Sequence, residues 1–286
     1  MDDRALLRRV MAVVGRETCL DDCAVVPLPD GYLVLSTDMV HRETDFPAGM
    51  TDRQTGWMAV AVTLSDIAAM GAVPGPVLLA VGLDREDRLD EVMAGAHECC
   101  SRYGATLAGG DIDFHRELTL VATGVGWAGG DRLVRRSGAA PGDRICLTGT
   151  PGQAQAALAG YTQHLPALFE PEPRVREGIL LGEAGVSAMM DTSDGLVLSL
   201  FDLQEANPGV GFSVRSAALP LPRGAPPAQA GEYALFGAGD YELLFTAPAD
   251  REIPVAAAVI GEVTAAPGVL VDGAPPPRRG FLHTWE

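Results

Sequence analysis

Lysine is absent from this chain of 286 residues: all 21 of its basic residues are Arg. That gap removes whole classes of chemistry. A P-loop places a Lys on phosphate, a Schiff-base enzyme uses a Lys amine, and a Ser-Lys dyad uses Lys as its base. Any phosphate handled here must therefore meet Arg, backbone N–H groups or metal. Cysteine is scarce too, with five residues at 19, 23, 99, 100 and 146. The odd count and the spacing fit neither a disulfide framework nor a zinc site, and adjacent Cys99 and Cys100 read as small helix-packing residues. Positive charge is outnumbered, 38 Asp and Glu against 21 Arg, for a net charge of -17. Such a surface repels nucleic-acid backbones and anionic lipid, so neither nucleic acid nor a membrane is expected as partner. Long apolar runs are also missing; Gly, Asp or Ser breaks each one well short of a membrane span. The opening Met1-Asp2-Asp3 carries no basic, apolar leader, and a cytoplasmic protein is expected.

What remains is an ordinary globular composition, 47% hydrophobic and 21% charged, in a length that fits two domains. Residues 3–14 place Leu6, Leu7, Val10, Val13 and Val14 at helical spacing, with Gly15 as a stop. "CAVV" and "GYLVLSTD" predict strands, and Trp57 to Met70 predicts a helix apolar nearly all round, hence buried, ended by Gly71. A strand "PVLLAVGL" leads to Asp84 as N-cap of a helix with Leu89, Val92, Met93, Ala96, Cys100 and Tyr103 on one face. "ATLAGGD", "ELTLVATGVGW" and "DRLVRR" predict three more strands, with the second "AGGD" copy, at 128–131, as a turn. The punctuated run "GAAPGDRICLTGTPG" at 138–152 sets an expected boundary between residues 1–137 and residues 138–286. Beyond it lie a helix near 151–160, strand "SAMMD", a helix at about 196–206, strands "GFSV" and "YELLFT", and a strand near 255–263. The Pro-rich "LPLPRGAPPAQAG" and "GAPPPRRG" read as loops. Strands and helices mingle in both halves, which predicts an α/β protein of two mixed domains, of the α+β type.

Carboxylates stand where this pattern wants a core. Asp191 and Asp194 lie three positions apart in "AMMDTSDGLVLSL", with no Arg between Val186 and Leu203. A buried carboxylate needs a partner, so a bound metal is one reading and an exposed Asp-Gly turn the other. Asp66 has only Thr63 and Ser65 as polar company in its helix and projects away from the Trp57, Val60, Ala61, Leu64 and Ala68 stripe. It needs a positive centre or an Arg from elsewhere. Asp38 ends a strand beside Ser36 and Thr37, which could equally cap the strand; Asp22 follows Asp21, and Asp111 follows "LAGG". Five such sites without Lys suit hard oxygen ligation of Mg²⁺, and protein-bound Mg²⁺ commonly bridges nucleotide phosphates. Arg135 and Arg136 are candidates for those phosphates, or simply a solvated pair.

The motifs "STDMV", "LSDIAAMGAVP", "AGGDIDF", "RRSGAAPGD", "TGTPG", "DTSDGL" and "GAGDYELLFT" occur in an order and spacing that resembles the thiamine-monophosphate kinase family, over residues 20–283. "LSDIAAMGA" and "SDGL" also resemble the wider superfamily of aminoimidazole ribonucleotide synthetase, while "DYELLFT" points to the kinase. The resemblance implies a homodimer paired through its N-terminal sheets, with ATP in a cleft between the domains. It implies Mg²⁺ ligands at Asp22, Ser36, Thr37, Asp38, Asp66, Asp111, Asp191 and Asp194, and ATP contacts at Arg136, Ser193 and the Asp111 loop. Asp66, Asp191 and Asp194 would serve the transfer itself. Three places depart from the family pattern. Thr18-Cys19-Leu20 stands where many relatives carry Gly-Ile-Gly, Asp45 where they carry a substrate-contacting His, and Gly239 where they carry a Glu assigned to thiamine. Phe281 aligns with an aromatic that stacks on the substrate.

The implied reaction is phosphorylation of thiamine monophosphate by ATP. Its acceptor is a phosphate with a second pKa near ~6, so no general base is needed. Two rival readings are another ATP-dependent enzyme of the superfamily and a nucleotide-binding protein without catalysis. Formation of thiamine diphosphate separates them. The Cys and Lys that selenophosphate synthetase chemistry would want are not paired here, and no Cys follows Cys146 for hydrogenase-maturation chemistry.

Overall fold

Two sheets, one from each half of the chain, carry the architecture; a computed structural model describes residues 3–283. The first sheet holds β1 (Ala24–Leu28), β2 (Gly31–His41), β3 (Val73–Leu83), β4 (Thr106–Phe114) and β5 (Thr119–Gly129), in the order β1-β2-β5-β3-β4. Neighbours are antiparallel except β3 and β4, which run parallel because helix α3 (Leu89–Arg102) carries the chain back between them. Alternate residues point to one face, and there Val34, Ser36 and Val40 of β2, Leu120 and Ala122 of β5, and Val77, Leu79 and Val81 of β3 are buried. The other face leaves Met39, Leu78 and Trp127 exposed.

The helix that covers the buried face is α2 (Asp52–Ala69). It starts at a capping box, with Thr51 accepting from the Gln54 N–H and the Gln54 side chain returning to the Thr51 N–H. The start lies five residues ahead of the expected Trp57, since a polar first turn is held by the cap rather than by apolar spacing. Its all-round apolar surface is explained by contacts on several sides, with the sheet, α3 and α6 (Val175–Ala184). Against α3 the backbones touch: a Cβ at Gly95 would sit 1.7 Å from the Arg53 carbonyl oxygen, and one at Gly56 1.9 Å from that of Val92. Helix α1 (Asp3–Val14) forms as the spacing predicts, but its stripe stays out of the core, with Val13 85% exposed.

The second sheet has the order β11-β8-β10-β6-β9-β7, from β6 (Arg144–Thr148), β7 (Ala188–Asp191), β8 (Gly211–Val214), β9 (Leu243–Ala247), β10 (Ala257–Thr264) and β11 (Gly268–Val271). Ile145, Leu147, Phe212, Leu244 and Ile260 form its core with Leu196, Leu200 and Leu203 of α7 (Leu196–Ala206) and Ala234 of α8 (Pro227–Phe236). Short helices α4 (Gln153–Leu158) and α5 (Leu165–Phe169) lie between β6 and α6.

The mixed α/β class holds, while several elements differ from expectation. "DRLVRR" is no strand: the Val134 N–H goes to Met70 and the Arg135 carbonyl takes the Met189 N–H, so the segment stitches the halves singly instead of joining a ladder. Asp84 caps nothing; it pairs with Arg88 at 3.1 Å, and a 3-10 turn at Glu86–Arg88 precedes α3. Helix α8 begins inside the stretch read as a Pro-rich loop, because Pro at the first helical position fits a helix start. Helices α5 and α6 and strand β11 were not anticipated.

The junction between the halves is held by Asn207, the one Asn in the chain. Its Oδ1 accepts from Gly138 N (2.8 Å) and Ala139 N (3.1 Å), and its amide donates to Arg136 O (2.8 Å) and Leu203 O (2.7 Å).

Candidate active site

The end of α2, the middle of β2, the segment before β1 and the end of β7 meet at one point. One carboxylate oxygen each from Asp22, Asp66 and Asp191 lies within 4.8 Å of the others. The convergence follows from local rules. Asp66 sits in the last turn of α2, and Ser36 of β2 points up at it from the helix-facing side of the sheet, Oγ to Oδ2 2.5 Å. Asp38, two residues along and on the same face, accepts from Thr63 (2.8 Å) and Ser36 (3.3 Å). Ser65 reaches the other way, to Asp191 Oδ2 at 2.8 Å, and Ser193 closes on Asp191 Oδ1 at 3.1 Å. The two hydroxyls that interrupt the apolar helix are thus donors to candidate ligands on different sheets.

Electrostatics mark the cluster as incomplete by itself. Burial, then the charges of Asp38, Asp191 and Asp22, pushes the Asp66 carboxyl well above its ordinary range. Burial and then Asp22 push Asp191 up to about 7, and burial raises Asp38 against the opposing hydrogen bonds of Thr63 and Ser36. Carboxylates crowded in a buried place want a cation or protons. Arg136 supplies charge at one edge only, gripping Asp22 through Nε (3.1 Å) and Nη2 (2.8 Å). Arg135 pairs with Asp21, so both Arg residues expected on phosphates are committed to the paired aspartates before β1.

The remaining candidates divide. Asp38, Asp66, Asp191, Ser193 and Asp194 line one cavity of about 470 Å³, and Asp45, Gly239 and Phe281 line the same cavity. Its apolar walls include Phe46, Met58, Leu158 and Leu168. Asp45 is aimed by the His41 N–H and the Thr44 hydroxyl, each at 2.8 Å. Phe281 is fixed by its N–H on the Asp194 carbonyl at 3.0 Å. Asp194 meets Arg4 of α1 at 3.2 Å, and Arg4 also reaches Asp202 at 2.7 Å. Thr37 departs from the expected set: alternation turns its side chain to the opposite face, where it meets Thr123 at 2.9 Å. Asp111 departs as well. Asp38 pairs with Ala122, Ala122 with Leu79, and Leu79 with Gly110, so three strand spacings, about 14 Å, part Asp38 from the strand of Asp111 within one chain. Thr18 lies in a 3-10 turn, Arg16–Cys19, that leads to the paired aspartates. Thr63, Ser65, Arg4 and Tyr241 are not among the site residues expected from sequence; for Thr63 and Ser65 the signal was their position three and one residues before Asp66.

A five-stranded sheet under one apolar helix, with carboxylates gathered at their contact, defines a class: residues 20–128 match the family described as AIR synthase related protein, N-terminal domain. The whole chain is 51% identical to thiamine-monophosphate kinase of Methanospirillum hungatei over 287 residues, covering 100% of both. It is 39% identical to that of Halobacterium salinarum, covering 99% of this chain and 100% of the relative. The solved structure of AaThiL complexed with AMPPCP and TMP superimposes with a TM-score of 0.92 at 28% identity, covering 99% of this chain and 97% of the other. The chain belongs to the thiamine-monophosphate kinase family.

Proposed function

We propose that the chain transfers the γ-phosphoryl group of ATP to thiamine monophosphate, giving thiamine diphosphate and ADP. The observation that carries this reading is that one cavity is lined both by the carboxylates Asp38, Asp66 and Asp191 and by apolar walls with Asp45 and Phe281. AMPPCP is a methylene analogue of ATP, and its presence with TMP in AaThiL supports the same pair of ligands here.

Asp22, Asp66 and Asp191, with Asp38 and Asp194 beside them, would hold Mg²⁺; an all-oxygen donor set whose charges raise one another's proton affinity fits a hard cation. When bound, Mg²⁺ neutralises phosphate charge and aligns the transferred group. The chain's own residues do the rest. Ser36, Thr63, Ser65 and Ser193 spend their hydroxyl hydrogens on Asp66, Asp38 and Asp191, which fixes the direction of the carboxylate oxygens. An acceptor phosphate oxygen forms the new bond to the γ-phosphorus while the bond to the β,γ-bridging oxygen breaks. The acceptor is largely ionised at neutral pH, so no side chain has to take a proton. Asp45 would face the cationic thiazolium and Phe281 would stack on a ring, with Gly239 leaving room between them.

Asp111 ties the reading to oligomeric state. Its distance from Asp38 along the sheet favours a role toward the same phosphates from a second copy, and the exposed Met39, Leu78 and Trp127 support pairing of the sheets through an apolar face. Residues 1–137 would then form the ATP- and Mg²⁺-binding domain that pairs, with Asp191 and Asp194 reaching the metal from the α/β domain of residues 138–286, in a cytoplasmic homodimer. Incubating the protein with Mg²⁺-ATP and thiamine monophosphate and resolving the products by chromatography tests the reading. Stoichiometric thiamine diphosphate and ADP are expected, whereas ATP binding without product would make the chain a nucleotide binder.

A further inference from the structure

The strip Asp240-Tyr241-Glu242 leads into β9, and its outer members have purely structural partners. Asp240 accepts from the N–H groups of Gly152 (2.5 Å) and Ala154 (3.0 Å). Glu242 takes the Thr148 hydroxyl at 2.7 Å and both arms of Arg174 at 2.7 and 2.6 Å. Both side chains therefore face the 148–154 loop. In extended chain the residue between them faces the other way. Tyr241 accordingly turns into the cleft, where its ring packs against the core under the first sheet and lines the cavity shared by Asp66, Asp191 and Phe281. Asp38, Asp45, Asp191 and Asp194 line that same cavity.

Tyr241 is half-buried, and among the described residues its hydroxyl has no hydrogen-bond partner, which leaves it available to a molecule in the cavity. The other hydroxyls lining the cavity are spent: Thr44 donates to Asp45 and Ser193 to Asp191. We infer that Tyr241 is a substrate-contacting residue whose hydroxyl donates a hydrogen bond to the phosphate of the acceptor monoester. This rests on the kinase reading above and adds to it a neutral donor that holds the acceptor's anion among carboxylates. A neutral donor suits that place, since a second cation there would pair with the aspartates instead.

Binding of thiamine monophosphate and of thiamine, measured by calorimetry on the full chain with Mg²⁺ present, tests the assignment in the wild type and in Tyr241→Phe. The ring and its packing survive this change. A hydrogen bond to a charged group is worth about 10- to 100-fold in affinity, so thiamine monophosphate should weaken by that much while thiamine, which lacks the phosphate, is unchanged. Unchanged thiamine binding also reports an intact pocket. Equal weakening of both ligands, or of neither, overturns the assignment of the hydroxyl. Tyr241→His, which keeps a donor on a shorter side chain, should recover part of the loss; a loss as large as that in the Phe variant counts against it. Failure of the wild type to form thiamine diphosphate would instead overturn the kinase reading, and that measurement is separate.

Discussion

Ser65 and Asp191, 126 residues apart in the chain, are joined by a 2.8 Å hydrogen bond that ties the last turn of α2 to the end of β7. The bond crosses from the half of the molecule built on the first sheet to the half built on the second. Its donor is fully buried and its acceptor nearly so. A single hydroxyl hydrogen therefore sets where one carboxylate oxygen of the cluster points.

Replacing Ser65 by Ala should leave the fold intact and cost about 1–3 kcal/mol in urea unfolding, the range for leaving a charged acceptor short of a donor. Turnover of thiamine monophosphate should fall by about tenfold, because an Asp191 carboxylate held through Ser193 alone is misaligned for part of the time. A variant with unaltered rate would show that Ser65 serves packing alone.

Asp66→Asn removes the charge that suffers most from its neighbours. Burial and the repulsion of Asp38, Asp191 and Asp22 act against that charge, so the metal-free variant should melt at or above the wild-type temperature near neutral pH. Added Mg²⁺ should raise the melting temperature of the wild type and barely move that of the variant. Activity should drop by several orders of magnitude. A full Mg²⁺ shift together with undiminished turnover would remove Asp66 from the metal site.

Asp240 gives a pH dependence whose sign can be worked out. Burial raises its pKa from 3.8 to about 7, against the pull of the Ala154 and Gly152 N–H groups. Between those values the folded chain keeps a proton that the unfolded chain has released. The contribution is complete below about pH 4 and is lost as pH rises toward about 7. In Asp240→Asn no proton is exchanged. The stability difference between wild type and variant should therefore move by on the order of 4 kcal/mol against the wild type from about pH 4 to about pH 8, measured by denaturant titration at each pH.

Much of this was legible in the residues. A carboxylate inside a helix with no polar face, as at Asp66, has few physical excuses, and the structure gives it a cluster of its own kind. Strands with regular alternation, 31–41 and 119–129, were legible over most of their length, 31–38 and 117–127 in sequence, because one face is buried and the other is not. Misreadings came where long-range pairing decides. "DRLVRR" has the composition of a strand, but its hydrogen bonds go to Met70 and Met189, singly, from two different halves. Thr37 and Asp38 look equivalent in sequence, yet the two-residue period of the strand sends one to each face. Asp111 matches the acidic pattern locally, while the strand order that carries it about 14 Å from Asp38 depends on β5 inserting between β2 and β3. Helix α8 was hidden by prolines that turn out to stand at its start.

The linker held by Asn207 has a mechanical consequence. Swinging one sheet against the other about residues 136–139 would break three hydrogen bonds of one side chain together, to Arg136, Gly138 and Ala139, each worth about 1 kcal/mol. A rigid elbow of this kind leaves the jaws of the molecule at a set gape. An Asn207→Ala protein would lose that bracing and loosen at the joint.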